Sequence, residues 1–148
     1  MKLIKSTIGI LFTFLSINAF AQDITGIWQQ IDDKSGSAKA IIEIRQEPNE
    51  KYVGKVIKIT PRLGYKPKEY CNNCSGAYSN RPILGMDILK GLNYIGDNIY
   101  SNGKIIDPLT GTIYDAKIKV SESGRRLTLR AFMGVYSLGR TQTWLRIE

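Results

Sequence analysis

Hydrophobic and polar residues alternate along most of the chain after residue 24. Between residues 112 and 120, charged side chains separate apolar ones at Tyr114, Ala116, Ile118 and Val120. A period of two places the apolar side chains on one face of a β-strand and the polar ones on the other. No later stretch keeps a helical period over 12 or more residues. The pattern therefore predicts an all-β domain.

Four further runs predict strands whose side chains share a face. Three of the shared faces are Ala40, Ile42 and Ile44; Leu127, Leu129, Ala131 and Met133; and Trp144 with Arg146. The fourth, which shows a weaker alternation, is Val53, Lys55, Ile57 and Ile59. Residues 86–92 fit either a short helix or a strand, and the sequence leaves both open.

Turn-forming residues separate these runs. Asn102 followed by Gly103 favours a tight turn, because both residue types tolerate positive φ. Asp107, Pro108 and Gly111 indicate a second short connection, and residues 121–124 a third. Short connections favour antiparallel neighbours, since parallel strands need crossovers of about a dozen residues. We expect about seven to nine strands, which must close into a barrel or pair as a sandwich to protect their edges.

Residues 60–85 interrupt the alternation with three prolines and both cysteines. Connections this long are usually functional or held in place. Cys71 and Cys74 predict a disulfide in an oxidising compartment, which would stiffen the loop by about 2 kcal/mol. A thioredoxin-type redox pair is the alternative, although it needs a strand before it and a helix after it. A zinc site would need about four ligands and is the third possibility.

The N-terminus has the three parts of a secretory signal. Lys2 and Lys5 precede an apolar run at residues 7–17, and Ala19 and Ala21 occupy the small-residue positions of a cleavage site. The apolar run is too short for a spanning helix, which needs about 20 residues. We expect cleavage after Ala21, a single domain at residues 22–148, a periplasmic or secreted location and no stable membrane anchor.

Composition narrows the classes of function. Cleavage would remove two lysines and no acidic residue, lowering the formal charge from +8 to +6. The basic residues are scattered, so the charge favours solubility over a dedicated anionic partner, and export argues against nucleic acid. The chain has no histidine, which excludes Ser-His-Asp, Cys-His and two-histidine metal arrangements. We expect no catalytic residue, no metal and no cofactor.

Several short motifs carry a resemblance to a known family. They are Gly26 with Trp28; Gly54; Cys71 and Cys74 before Arg81 and Pro82; Gly103 and Lys104 before Asp107 and Pro108; Gly111 with Tyr114; and Gly139 and Arg140 before Trp144. Their succession resembles the exported bacterial family catalogued as domain of unknown function 2147, over nearly all of residues 24–147. The resemblance implies an antiparallel up-and-down barrel of the calycin type, with about eight strands. It carries no established activity, so no catalytic residue can be transferred.

The start of the domain also resembles the first strand of lipocalins. That resemblance implies that Gly26 gives the backbone room, while Trp28 plugs one end of the barrel. Arg146, from the last predicted strand, would then pack across the indole, a contact of about 0.5–2 kcal/mol. These three residues are expected to close the barrel and not to contact a ligand.

Three functions remain open at this point. The first is a binding protein that holds a small apolar or amphipathic molecule, since eight strands enclose either packed side chains or one small ligand. The second is an interaction or inhibitor module of the cell envelope that uses residues 60–85. The third is a redox enzyme that uses the cysteine pair. Candidate ligand or partner contacts are Tyr65, Tyr70, Tyr78, Arg81 and Trp144. Side chains that could be either core or pocket wall are Tyr52, Tyr94, Tyr100, Phe132 and Tyr136.

Overall fold

Eight antiparallel strands form a closed barrel in which each strand pairs with the next and the last pairs with the first. The computed structural model describes Leu3 and residues 23–148. The predicted all-β, up-and-down barrel is confirmed. The predicted signal peptide lies outside the described residues and stays a prediction. No helix in the described part of the chain is long and apolar enough to cross a membrane.

Residues 86–92, left open between helix and strand, belong to the fourth strand. The strands are β1 (Gly26–Ile31), β2 (Ala38–Gln46), β3 (Tyr52–Ile59), β4 (Asp87–Gly96), β5 (Ile99–Ile106), β6 (Ile113–Val120), β7 (Arg126–Phe132) and β8 (Gly139–Arg146). The long β3–β4 connection contains a 3₁₀ turn at Gly76–Tyr78 and no strand.

The up-and-down order places alternate connections at the same end of the barrel. The β1–β2, β3–β4, β5–β6 and β7–β8 connections lie at one end, which we call the open end. The start of β1, the end of β8 and the other three connections lie at the opposite, closed end. Residues 60–85 therefore belong to the open end, and we call them the covering loop.

Side chains fill the closed half of the barrel. Those with no exposed surface include Trp28, Ile42, Leu89, Leu92, Ile118, Leu127 and Trp144. Most lie on the inward phase of their strands, so alternation in sequence becomes burial in the fold. Leu89 and Leu92 are three residues apart, and the register shifts between β3 and β4 accompany this break in the alternation. These residues form the hydrophobic core on which the rest of the barrel is built.

The face predicted for β3 is wrong at Ile57, because the strand changes phase. Val53 is buried as predicted, together with Tyr52, Gly54 and Val56, whereas Ile57 is 39% exposed. Pairing with β2 shifts register between Val56 and Lys58, which leaves Ile57 as an extra residue. Such a β-bulge reverses the alternation beyond it and returns Ile59 to the inside.

The turn predicted at Asn102 and Gly103 is also wrong, since both residues lie within β5. Asn102 does have positive φ, 61°, but it marks a bulge where pairing with β6 shifts register. The tight β4–β5 turn instead uses Asp97 and Asn98, with φ of 52° and 60°. Residues with a left-handed backbone conformation occur both in tight turns and in β-bulges, so residue type alone did not distinguish a turn from a bulge. Met133 likewise falls beyond β7 and is exposed.

Candidate functional site

Arg146 joins the last strand to the first at the closed end. Its guanidinium carbon lies 4.3 Å from the centroid of the Trp28 ring. The same group donates hydrogen bonds to the carbonyls of Gly124 at 2.6 Å, Thr25 at 2.7 Å and Asp23 at 2.5 Å. Partial burial lowers the pKa of Arg146 from its ordinary value. The guanidinium therefore satisfies the backbone at the seam while covering the indole.

The residues around this seam are closely packed. A Cβ on Gly26 would stand 2.6 Å from Nη1 of Arg146, so the close approach requires glycine. Trp28 donates its indole N–H to the Ile24 carbonyl at 2.9 Å, and the Ile24 amide donates to the Tyr100 hydroxyl at 3.2 Å. Burial raises the pKa of Tyr100 to about 12. The closed end is packed and hydrogen-bonded throughout this cluster.

A cavity occupies the open half of the barrel. It offers about 100 Å³ to the centres of water-sized molecules, and one water needs roughly 10–15 Å³ on that measure. Its apolar walls include Ala40, Val56, Ile88, Ile105, Leu129 and Ala131. The covering loop completes the walls with Tyr65, Pro67 and Ile83, among others. The barrel is therefore filled in one half and hollow in the other.

The disulfide holds the covering loop against the β5–β6 connection. Cys71 and Cys74 are bonded to each other and are 0% and 7% exposed. Between them, Asn73 donates its side-chain amide to the Leu109 carbonyl at 3.1 Å. Gly111 lies directly beneath: a Cβ there would overlap the Asn73 carbonyl oxygen and stand 2.7 Å from its carbon. The cysteine turn thus rests on a glycine of the neighbouring connection.

The charged side chains that line the cavity are mostly positive. The cations are Lys39, Arg62, Lys68 and Arg140, and Asp107 is the acid. Arg140 also forms an ion pair with Asp33, and its hydrogen bond holds the pKa of that carboxyl below the usual range. In the part of the chain that the structure describes, Lys39, Arg62 and Lys68 form no ion pair. We call these four cations the rim.

Two glutamines bring hydrogen-bonding groups to the cavity. Gln30 is 7% exposed, and its Nε2 donates to Oε1 of Gln142 at 3.3 Å. The same oxygen accepts the indole N–H of Trp144 at 3.1 Å. Both glutamines line the cavity, whereas Trp144 is wholly buried behind them.

The predicted contact residues fall in different places. Tyr65 lines the cavity, while Tyr78 and Arg81 line a second cleft beside the start of β4. Tyr70 is 49% exposed and lines neither. Trp144 reaches the cavity only through Gln142. The fold therefore does not bring the five predicted contacts together.

The glutamines and the rim lysines were missed as site residues. Gln30 stands two residues after Trp28, and Gln142 two residues before Trp144, so both occupy the inward phase of strands with buried tryptophans. A polar residue on an apolar phase was the available signal.

None of the five aromatics left open between core and pocket wall lines the cavity: Tyr52, Tyr94, Tyr100, Phe132 and Tyr136. Among Leu3 and residues 23–148, no group of three His, Cys, Asp or Glu could hold a metal ion.

Comparison with known proteins gives the family and supports the fold. Residues 26–146 match the profile of a family described as "Uncharacterized protein conserved in bacteria (DUF2147)", from the first residue of β1 to the last of β8. The chain belongs to this family. The resemblance inferred from the sequence motifs is thereby confirmed.

A solved structure has the same architecture. It is described as "Protein HP1028 from the human pathogen Helicobacter pylori belongs to the lipocalin family". It shares 21% sequence identity with a TM-score of 0.71, over 85% of this chain and 84% of that one. At this identity the likeness shows the fold alone. No curated protein matches the chain.

Proposed function

We propose that this protein is exported and binds a small apolar or amphipathic molecule in the open half of its barrel. The observation that carries the proposal is the cavity between the packed core and the covering loop. Its apolar walls would remove hydrocarbon from water, at roughly 25 cal/mol for each Å² buried. A lipocalin-like fold also suggests small-molecule binding.

The rim narrows the chemistry of the ligand. Four cations line the cavity against one acid, and only Arg140 among the cations has an ion-pair partner in the described residues. A cationic ligand would have to approach three unpaired positive groups. We therefore propose uncharged or anionic molecules as ligands, and expect a cationic amphiphile of equal chain length to bind more weakly.

Catalysis by the cysteine pair has less support than binding. Thiol–disulfide exchange needs a sulfur that an attacking thiolate can reach. Cys71 is wholly buried and Cys74 nearly so. Both sulfurs also lie against the Pro108 carbonyl, at 3.7 and 3.9 Å. This burial, together with the lipocalin-like fold, favours a structural disulfide in a non-enzymatic protein.

Native mass spectrometry of protein exported by its own signal tests the proposal. We expect the mass of residues 22–148 with the disulfide formed, plus an added mass that leaves on denaturation. Ala131→Phe would place a ring in the cavity and should remove the added mass, because Ala131 lines it. Ala77→Phe is the matched control, since Ala77 lines only the cleft beside β4.

Two results would overturn the proposal. One is an added mass retained by Ala131→Phe and lost by Ala77→Phe. The other is the absence of any added mass, combined with failure of the purified protein to bind a neutral apolar dye. An uncleaved N-terminus would contradict the predicted export signal separately.

Exposed side chains on the covering loop favour a second candidate, a contact with an envelope protein. Leu63 is 105% exposed, Leu84 57% and Tyr70 49%. Large apolar groups at such exposure are the kind that partners bury. Crosslinking in cells expressing the Leu63→Asp, Leu84→Asp double variant tests it. This second candidate predicts a crosslinked species in cells that express the unaltered protein. The double variant should lose that species and should still carry the added mass in native mass spectrometry.

A further inference from the structure

The orientation of the two cavity glutamines is determined by a tryptophan. An indole N–H can only donate, so the atom of Gln142 that faces Trp144 must be the acceptor Oε1. The Gln30 atom that approaches the same oxygen must then be its donor, Nε2. Trp144 thereby decides which way both amides point, a choice that geometry alone often leaves ambiguous.

This orientation leaves unused hydrogen-bonding capacity. Within residues 23–148, no hydrogen bond engages Nε2 of Gln142 or Oε1 of Gln30. Strand register pairs Gln30 with Ala40 and Gln142 with Leu129, two apolar residues that also line the cavity. Neither amide atom is among the buried polar atoms without a partner in the described residues, so both keep surface that a ligand in the cavity can reach.

The surroundings of the amides favour an uncharged partner. Arg140 follows the same inward phase of β8, but its charge is compensated by Asp33. A carboxylate that accepts a hydrogen bond from Nε2 of Gln142 would bring its lone pairs toward Oε1 of Gln30, because carboxylates only accept. A group with one acceptor and one donor matches both amides without repulsion.

We propose that Gln30 and Gln142 form a polar subsite for an uncharged ligand group that both accepts and donates hydrogen bonds, such as a primary carboxamide. Gln142 donates to the ligand, Gln30 accepts from it, and Trp144 is the positioning residue. The subsite rests on the proposed function, since it needs a ligand in the cavity. It adds the chemistry of the buried polar group, which the apolar walls and the rim do not specify.

A pair of matched ligands tests the subsite. The assay measures displacement of the neutral dye N-phenyl-1-naphthylamine by hexanamide and by N,N-dimethylhexanamide, which has the same acceptor and no donor. We expect hexanamide to bind about tenfold more tightly, although it is the less hydrophobic of the two, because only hexanamide satisfies Gln30. Hexanoate is expected to gain nothing from the paired glutamines, so its affinity should be the same in the Gln30 variant below as in the unaltered protein.

Gln30→Met is the sharpest variant. Methionine is similar in length but offers the ligand N–H only a weak acceptor, so the preference for hexanamide should fall below about threefold. Gln46→Met is the matched control on the exposed end of β2 and should keep the full preference. Trp144→Phe should reduce the preference, because it frees the amides to turn.

The outcomes separate the subsite from the proposed function. If the dye binds but the two amides displace it equally well from the unaltered protein, the subsite is wrong and the binding function stands. The subsite is also wrong if Gln30→Met, shown to be folded by circular dichroism, keeps the full preference. If neither the dye nor any ligand binds, the proposed function itself fails. The comparison on the unaltered protein decides the matter even if a variant does not fold.

Discussion

Replacing Gly111 by alanine should destabilise the covering loop far more than an equivalent change elsewhere. Gly111 has φ of +77°, and the added Cβ would overlap the Asn73 carbonyl oxygen. Gly134, in the β7–β8 connection, is the matched control, because its φ is +70° and a Cβ there meets nothing within 4 Å. The pair shares the backbone strain and differs only in the close approach.

The expected magnitudes follow from these contacts. A left-handed alanine costs about 1 kcal/mol, and Gly134→Ala should lose roughly that amount. Gly111→Ala must in addition move the cysteine turn away, losing the Asn73 hydrogen bond to Leu109 at about 1 kcal/mol. Partial exposure of the buried cysteines should add a similar cost. We expect a total of about 3 kcal/mol.

Urea unfolding followed by tryptophan fluorescence measures both changes, since both tryptophans lie in the core. Limited proteolysis provides a local reading, with cleavage within residues 60–85 accelerated in Gly111→Ala and unchanged in Gly134→Ala. Equal losses of stability in the two variants, with equal proteolysis, would refute the idea that the cysteine turn depends on this close approach.

Three further predictions concern the closed end and the disulfide. Arg146→Lys should lower the free energy of unfolding, measured in urea, by about 2–3 kcal/mol, because lysine cannot reproduce the three hydrogen bonds to carbonyls. The control variant at an exposed position, Arg125→Lys, should change that free energy by less than about 0.5 kcal/mol. Because folding raises the pKa of Tyr100 from 10.0 to about 12, its contribution to stability should be complete below pH 10 and lost as pH rises toward 12. Absorbance titration should show Tyr100 ionising late, as well as Tyr52, whose pKa burial also raises. A Tyr100→Phe variant that keeps the same decline in stability between pH 10 and 12 would contradict this assignment. Replacing Cys71 and Cys74 by alanine should cost about 2 kcal/mol in calorimetry and leave the barrel folded; loss of the barrel's circular dichroism signal would show that the disulfide holds more than its loop.

Much of the fold could be predicted from the sequence, because buried and exposed residues alternate with a period of two along a strand. Ala116, Ile118 and Val120 alternate in sequence and are buried in β6, as predicted. The alternation pattern and the turn residues gave wrong predictions where the backbone departs from regular strand geometry, at the bulge around Ile57 and at Asn102. A bulge is stabilised by pairing with neighbouring strands, so its position depends on register that a single segment does not encode.

The sequence by itself determined the all-β class and the long loop that carries both cysteines, because each follows from local spacing of residue types. The barrel, as opposed to a sandwich, followed from the resemblance to the family. Only the tertiary structure decided that the barrel is filled at one end and hollow at the other. It also decided which polar residues meet: Gln30 and Gln142 are 112 positions apart, yet β1 and β8 are neighbours in the closed barrel. Barrel closure brings the ends of the chain together, and a contact made by closure leaves no mark in the spacing of either segment.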